Sequence, residues 1–79
     1  MTLIEIAEIY TGLVNLEKQI PDEAFQAKDQ ANALRTHYHE LLMAKMKDDG
    51  ISFADRFDAA HIAFRLIKKN ASYNRVAES

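Results

Sequence analysis

The stretch that decides the fold is Ala27-Lys28-Asp29-Gln30-Ala31-Asn32-Ala33-Leu34-Arg35-Thr36-His37-Tyr38-His39-Glu40-Leu41. Within it Ala27, Ala31, Leu34, Tyr38 and Leu41 step by 4, 3, 4 and 3 residues. That is the period of a helix stripe, in coiled-coil-like spacing. Its N-terminal end is lined by alanines, which permit close approach of a second helix. The helix is expected to run from Pro21 or Asp22 to Lys47. Proline is tolerated at the first helical position, and Asp22 and Glu23 suit the positive end of the helix dipole. A helix of that length spans roughly 40 Å. A compact globule of this size is only about 30 Å across. The helix must therefore kink or make the molecule elongated.

Working toward the N-terminus, Thr2-Leu3-Ile4-Glu5 reads as a capping box that opens a helix over about residues 3–19. Ile20 precedes Pro21, where the helical conformation is disfavoured. The polar residues of this helix fall in one stripe, and the rest is apolar. The apolar face is wider than the ~100° of an ordinary surface helix and needs cover on two sides. Ile4, Ile6, Ile9, Leu13 and Leu16 are the candidate contact residues for a protein partner or a second copy.

Working toward the C-terminus, Gly50 suits the left-handed position just past a helix end. Ser52-Phe53-Ala54-Asp55 reads as a second capping box with Asp in place of Glu. Phe53, Phe57, Ala60, Phe64, Ile67 and Ala71 step by 4, 3, 4, 3 and 4. This row is read as core, with Ile62 and Leu66 widening the face. Lys68 and Lys69 suit the last helical turn, and residues 72–79 are expected to fray.

The fold expected is thus all-α. It is a three-helix up-down-up bundle, or a helical hairpin with the first helix packed across it. One domain covers residues 1–71, followed by the tail at 72–79. A chain of 79 residues buries only about 60% of its unfolded surface. Small domains with wide apolar faces commonly complete their core by oligomerisation, so a homodimer is expected.

Composition narrows the function classes. There is no Cys, so neither a disulfide nor a thiolate metal site is available. No apolar run approaches the ~20 residues of a membrane span, and no leader pattern opens the chain. A soluble cytoplasmic protein without a membrane partner or cofactor is expected. Ten basic residues oppose twelve acidic ones, for a net charge of −2. That balance argues against a nucleic-acid coat. The charge is unevenly placed: residues 1–29 sum to −4, residues 30–60 to −1 and residues 61–79 to +3. Acids early in helices and bases late account for part of this bias. An acidic head and a basic tail can also complement each other, within one chain or between two antiparallel chains.

Three chemistries are conceivable for a chain with these features. No serine stands in a nucleophile setting, and Gly12 and Gly50 are isolated rather than part of a phosphate loop. A chain this small offers little wall for a water-excluding pocket, so catalysis is not expected. His37/Glu40 and Asp58/His61 are i, i+3 pairs on successive helices, as in carboxylate-bridged metal bundles. The apolar seams, if they face each other, point Glu40 and Asp58 outward, so the pairs are read as solvated contacts and a metal site is only a lesser alternative. Helix, glycine turn, helix resembles a helix-turn-helix, but Asp55 and Asp58 would meet the phosphates. A nucleic-acid-associated regulator would instead use the basic end, Arg65, Lys68, Lys69 and Arg75.

Gly50-Ile51-Ser52-Phe53-Ala54-Asp55-Arg56-Phe57-Asp58, with Ile62-Ala63, resembles a segment of the theta accessory subunit of bacterial DNA polymerase III. Gln30 with Leu34-Arg35-Thr36 and Leu42 resembles a second segment. The two stand here in swapped order and cover well under half of the chain. The resemblance implies a small accessory protein that binds a protein partner and is not catalytic, and it carries over no site residue. The function expected is a non-catalytic protein–protein interaction module: an accessory, adaptor or inhibitor subunit.

Overall fold

The computed structural model describes the backbone of residues 1–78 and the side chains of residues 1–70. Three helices follow in order: α1 (Leu3–Gln19), α2 (Phe25–Asp48) and α3 (Arg56–Glu78). Among the described residues there is no strand, and no helix is long and apolar enough to cross a membrane. The expected frayed tail at 72–79 and the side chain of Arg75 lie outside the described side chains.

The ends of α1 follow local chemistry. The Thr2 hydroxyl accepts from the Glu5 backbone N–H at 3.2 Å, and the Glu5 carboxylate accepts from the Thr2 N–H at 3.1 Å. That bond holds the Glu5 carboxyl below the usual carboxylate range. Ile20 is extended, with φ −76° and ψ 126°, as its position before Pro21 requires.

α2 begins later than expected. Residues 21–24 form a turn closed by the Ala24 N–H donating to the Pro21 carbonyl at 3.0 Å. Asp22 and Glu23 therefore precede the helix instead of opening it, and Asp22 pairs with Lys28. The far end is a complete left-handed cap. Gly50 has φ +76°. Its N–H donates to the Lys47 carbonyl, and the Ile51 N–H donates to the Met46 carbonyl at 2.8 Å.

α3 begins at Arg56, one turn past the expected Ser52 start. Two aspartates do the capping: Asp55 accepts from the Asp58 N–H at 2.8 Å, and Asp58 accepts from the Ala54 N–H at 2.9 Å. Charged acceptors make stronger caps than a serine hydroxyl. Releasing residues 51–54 from the helix lets Ile51 and Phe53 pack against the core.

The core is small: Ile6, Ala7 and Tyr10 from α1, Leu42 and Met46 from α2, and Ala59 and Ala63 from α3. α1 and α2 run antiparallel. Glu17 meets Asn32 and Arg35 at one end, and Tyr10 meets His39 midway. The connection after α2 doubles back, so the Arg56 carbonyl reaches His39. α3 then passes α1 with Phe64 against Tyr10, and with Leu66 and Lys69 beside Ile4. Contact is richest between α1 and α2 and sparsest between α2 and α3, so α1 is the helix both others share.

Two faces differ from expectation. The buried row of α2 is Ala31, His39, Leu42 and Met46. Leu34 and Leu41, expected in the seam, are exposed. The helix is rolled by about 100°, one residue's worth. Two long-range bonds fix that roll, Arg35 to Glu17 and His39 to Arg56. On α3, Ala59 and Ala63 are fully buried, while Phe57 and Phe64 face out. Alanines let the α3 backbone approach α1 more closely than phenylalanines would.

Candidate functional site

The five expected contact residues of α1 separate. Ile6 is buried within the chain's own core and drops out of any contact surface. Ile4 lines a shallow recess with Leu66, Lys69 and Asn70 of α3. Ile9 and Leu13 are half-buried, and Leu16 is 50% exposed.

The register of the hairpin says what Ile9, Leu13 and Leu16 adjoin. Glu17 opposite Arg35, and Tyr10 opposite His39, place Leu16 level with Leu34, Leu13 level with Tyr38, and Ile9 level with Leu41. The side is fixed by α3. On α1, Ile4 faces α3, and at 100° per residue Ile9, Leu13 and Leu16 lie roughly 120–180° round from it. On α2, His39 faces the start of α3, and Leu34 and Leu41 lie about 140–160° round from it. Both rows occupy the flank turned away from α3 and form one apolar surface. Each row steps by 4 then 3 residues. Leu34 is 50% exposed and Leu41 37%. None of the six residues is charged. Gly12, about 80° round from Ile4, lies outside this row, and a Cβ added there would meet nothing within 4 Å.

A second apolar row lies on α3. Phe57 is 73% exposed and Phe64, seven residues on, 39%. The Phe64 ring still touches Tyr10 edge-on, with centroids 6.4 Å apart.

Beneath these surfaces sits a polar clamp that sequence reasoning missed. His39 is only 4% exposed. Its Nε2 lies 2.8 Å from the Arg56 carbonyl, which can only accept, so Nε2 carries the proton. Nδ1 is buried without a partner. The Tyr10 ring stacks at a tilt, with centroids 4.8 Å apart. Burial pushes the Tyr10 phenol up, against the opposing pull of Arg35. The available signal was positional: His39 stands three and seven residues before Leu42 and Met46, on the face that is buried.

Glu17 ties the hairpin shut. It accepts from Arg35 Nε at 2.5 Å and from Asn32 Nδ2 at 3.2 Å. The Arg35 bond, helped by Asn32, holds its carboxyl below the usual range. An open recess of about 410 Å³ borders this pair, lined by Tyr10, Val14, Glu17, Lys18, Lys28 and Arg35.

The remaining candidates are distributed over the surface. Among the described residues no three His, Asp or Glu side chains converge as a metal ion would require. The expected pairs are divided: His37, Glu40 and His61 are exposed, and Asp58 is spent on the α3 cap. Arg65, Lys68 and Lys69 are exposed at helical spacing on one side of α3.

Comparison of the chain with protein-family models, with curated proteins and with solved structures finds no match.

Proposed function

We propose that the chain is a non-catalytic interaction module, an accessory or adaptor subunit that works by burying apolar helix faces against protein. One observation carries this reading. The rows that have coiled-coil spacing in the sequence, Leu34 with Leu41 and Phe57 with Phe64, lie outside the chain's own core. Such spacing is what a facing helix recognises. A small monomer with two exposed rows of this kind has more apolar surface than its own helices can cover. The sharing of contacts supports an antiparallel hairpin of α1 and α2 with α3 packed on α1, rather than α1 laid across a hairpin of α2 and α3. Completion by dimerisation belongs to the same reading. The functional contacts are Ile9, Leu13 and Leu16 with the outer row of α2, rather than the whole of the expected α1 set.

The test is affinity capture from host lysate with and without nuclease, comparing the natural chain with the Leu34→Glu/Leu41→Glu double variant. Both leucines are exposed, so the variant should keep its helical circular dichroism. A protein retained by the natural chain and lost from the folded variant supports the reading. Equal retention by both would remove this flank from the account. Retention that vanishes with nuclease would shift attention to Arg65, Lys68 and Lys69.

A further inference from the structure

We infer that the open recess between α1 and α2 binds a small organic carboxylate, with the charged group on Arg35, Lys18 and the Tyr10 hydroxyl and the apolar body against Val14. The inference is independent of the interaction reading above. Val14 lies about 100–160° round α1 from Ile9, Leu13 and Leu16, so the recess is not part of their flank.

The recess is where the hairpin outruns α3. Phe64 of α3 meets Tyr10, and Leu66 and Lys69 stand beside Ile4, so α3 covers the α1–α2 seam from Tyr10 toward the start of α1. Beyond Tyr10 the seam continues through Val14 and Lys18, and no described residue of α3 lines it. The space left is about 410 Å³, within the range of small-ligand sites and more than a bare carboxylate fills. Val14 is half-buried at its floor, and the stems of Lys18 and Lys28 extend the apolar wall.

The donors around it are unspent. Tyr10 is only 4% exposed, and a buried tyrosine hydroxyl usually finds a partner. Among the described residues this hydroxyl makes no hydrogen bond, yet it is not sealed off as His39 Nδ1 is. The ring lies between His39 and Phe64, and the phenol feels Arg35 and Glu17, both of which line the recess. The hydroxyl is therefore the tip that opens there. Arg35 bonds Glu17 through Nε alone, which leaves its two terminal nitrogens without a partner among the described residues. Lys18 is exposed and has no ion pair among them.

Charge selects the ligand class. Lys18, Lys28 and Arg35 stand against Glu17 and Asp22. Both acids are engaged, Glu17 by Arg35 and Asn32 and Asp22 by Lys28. Three cations against two carboxylates leave one positive charge, which a monoanion balances and a phosphate dianion overshoots. The planar edge of the arginine matches the two oxygens of a carboxylate.

The experiment titrates benzoate into the full chain, labelled with nitrogen-15, and follows the backbone amides by NMR. Saturable shifts are expected at Val14, Lys18, Lys28 and Arg35, with a Kd near about 1 mM for so small a ligand. Benzamide, the same shape without the charge, and acetate, the charge without the ring, are each expected to bind at least several-fold more weakly. Tyr10→Phe keeps the ring and removes an oxygen that has no partner, so the fold should persist while benzoate binds about tenfold more weakly. Lys18→Gln changes an exposed side chain and should also weaken it. Equal shifts at Lys68 and Lys69, exposed cations of α3, would mean general attraction of anions and overturn the site. Benzamide or acetate binding as well as benzoate overturns the ligand class. Undiminished binding in both variants, or no saturable shift with benzoate, overturns the proposal.

Discussion

The His39 ring is held to the Arg56 backbone carbonyl at 2.8 Å, a bond that joins the middle of α2 to the first residue of α3. α2 and α3 otherwise share little contact. This bond therefore fixes where α3 starts relative to the hairpin and, together with Arg35–Glu17, how far α2 is rolled. The roll decides which leucines are inside. Leu42 is fully buried, and Leu34 and Leu41 are left to solvent. The candidate interaction surface is in this sense a consequence of a buried histidine.

Removing the clamp tests that dependence. His39→Ala leaves the Arg56 carbonyl without its donor and opens space beside Tyr10. The expected loss is about 1–3 kcal/mol, read from urea unfolding. A variant as stable as the natural chain would mean the bond does not set the helix arrangement.

The stability should fall in acid. The folded state holds the carboxyls of Glu17 and Glu5 below their ordinary range, through the Arg35 and Thr2 bonds respectively. The folded chain therefore binds fewer protons than the unfolded one as pH drops. Their contribution is full above the unfolded pKa and is lost as pH falls through the lower folded value. Melting temperature should be flat near neutrality and decline from about pH 5 downward. Glu17→Gln should flatten that decline by removing one of the lowered carboxyls. An unchanged pH profile in Glu17→Gln would contradict the assignment.

The exposed phenylalanine and the buried leucine should behave oppositely. Phe57 is 73% exposed and Leu42 fully buried. Phe57→Ser should change stability by less than about 0.5 kcal/mol, and Leu42→Ala should cost about 2–5 kcal/mol. Chemical denaturation of the two variants decides it. A large loss from Phe57→Ser would restore the face read from the aromatic spacing.

Among the described residues Gly50 alone has a positive φ, +76°. Gly50→Ala has open space for its methyl group, so strain alone acts. The expected cost is roughly 1–2 kcal/mol. A neutral result in thermal melts would show that the turn after α2 adopts another conformation at little cost.

Much of the fold was legible locally, and what was hidden was long-range. Thr2 with Glu5, and Ile20 before Pro21, bound α1 without help from anything distant. Gly50 likewise marks the end of α2. The faces of α2 and α3 could not be read the same way. Leu34 and Leu41 are as apolar as Leu42 and Met46, and either row makes a sound helix stripe. The choice falls to Glu17 with Arg35, 18 residues apart, and to His39 with Arg56, 17 apart. Such separations leave no periodic trace. On α3 the spacing of the phenylalanines was a stronger pattern than Ala59 and Ala63. Closeness to α1 selected the smaller residues instead. The start of α3 moved for a related reason, because Asp55 and Asp58 outcompete Ser52 as caps. The surface itself was half legible: Ile9, Leu13 and Leu16 were read from the width of the α1 face, and Leu34 and Leu41 were assigned to the wrong side of the chain boundary.

The most direct test is photo-crosslinking in the living host, with a benzophenone amino acid at Leu34 and, as a control, at Glu40 on another face of α2. The account predicts a defined protein adduct at Leu34, either a second copy or another chain, and none at Glu40. Equal labelling at both positions, or no protein adduct at Leu34 in a chain shown to be folded, would contradict the claim that this flank is a contact surface.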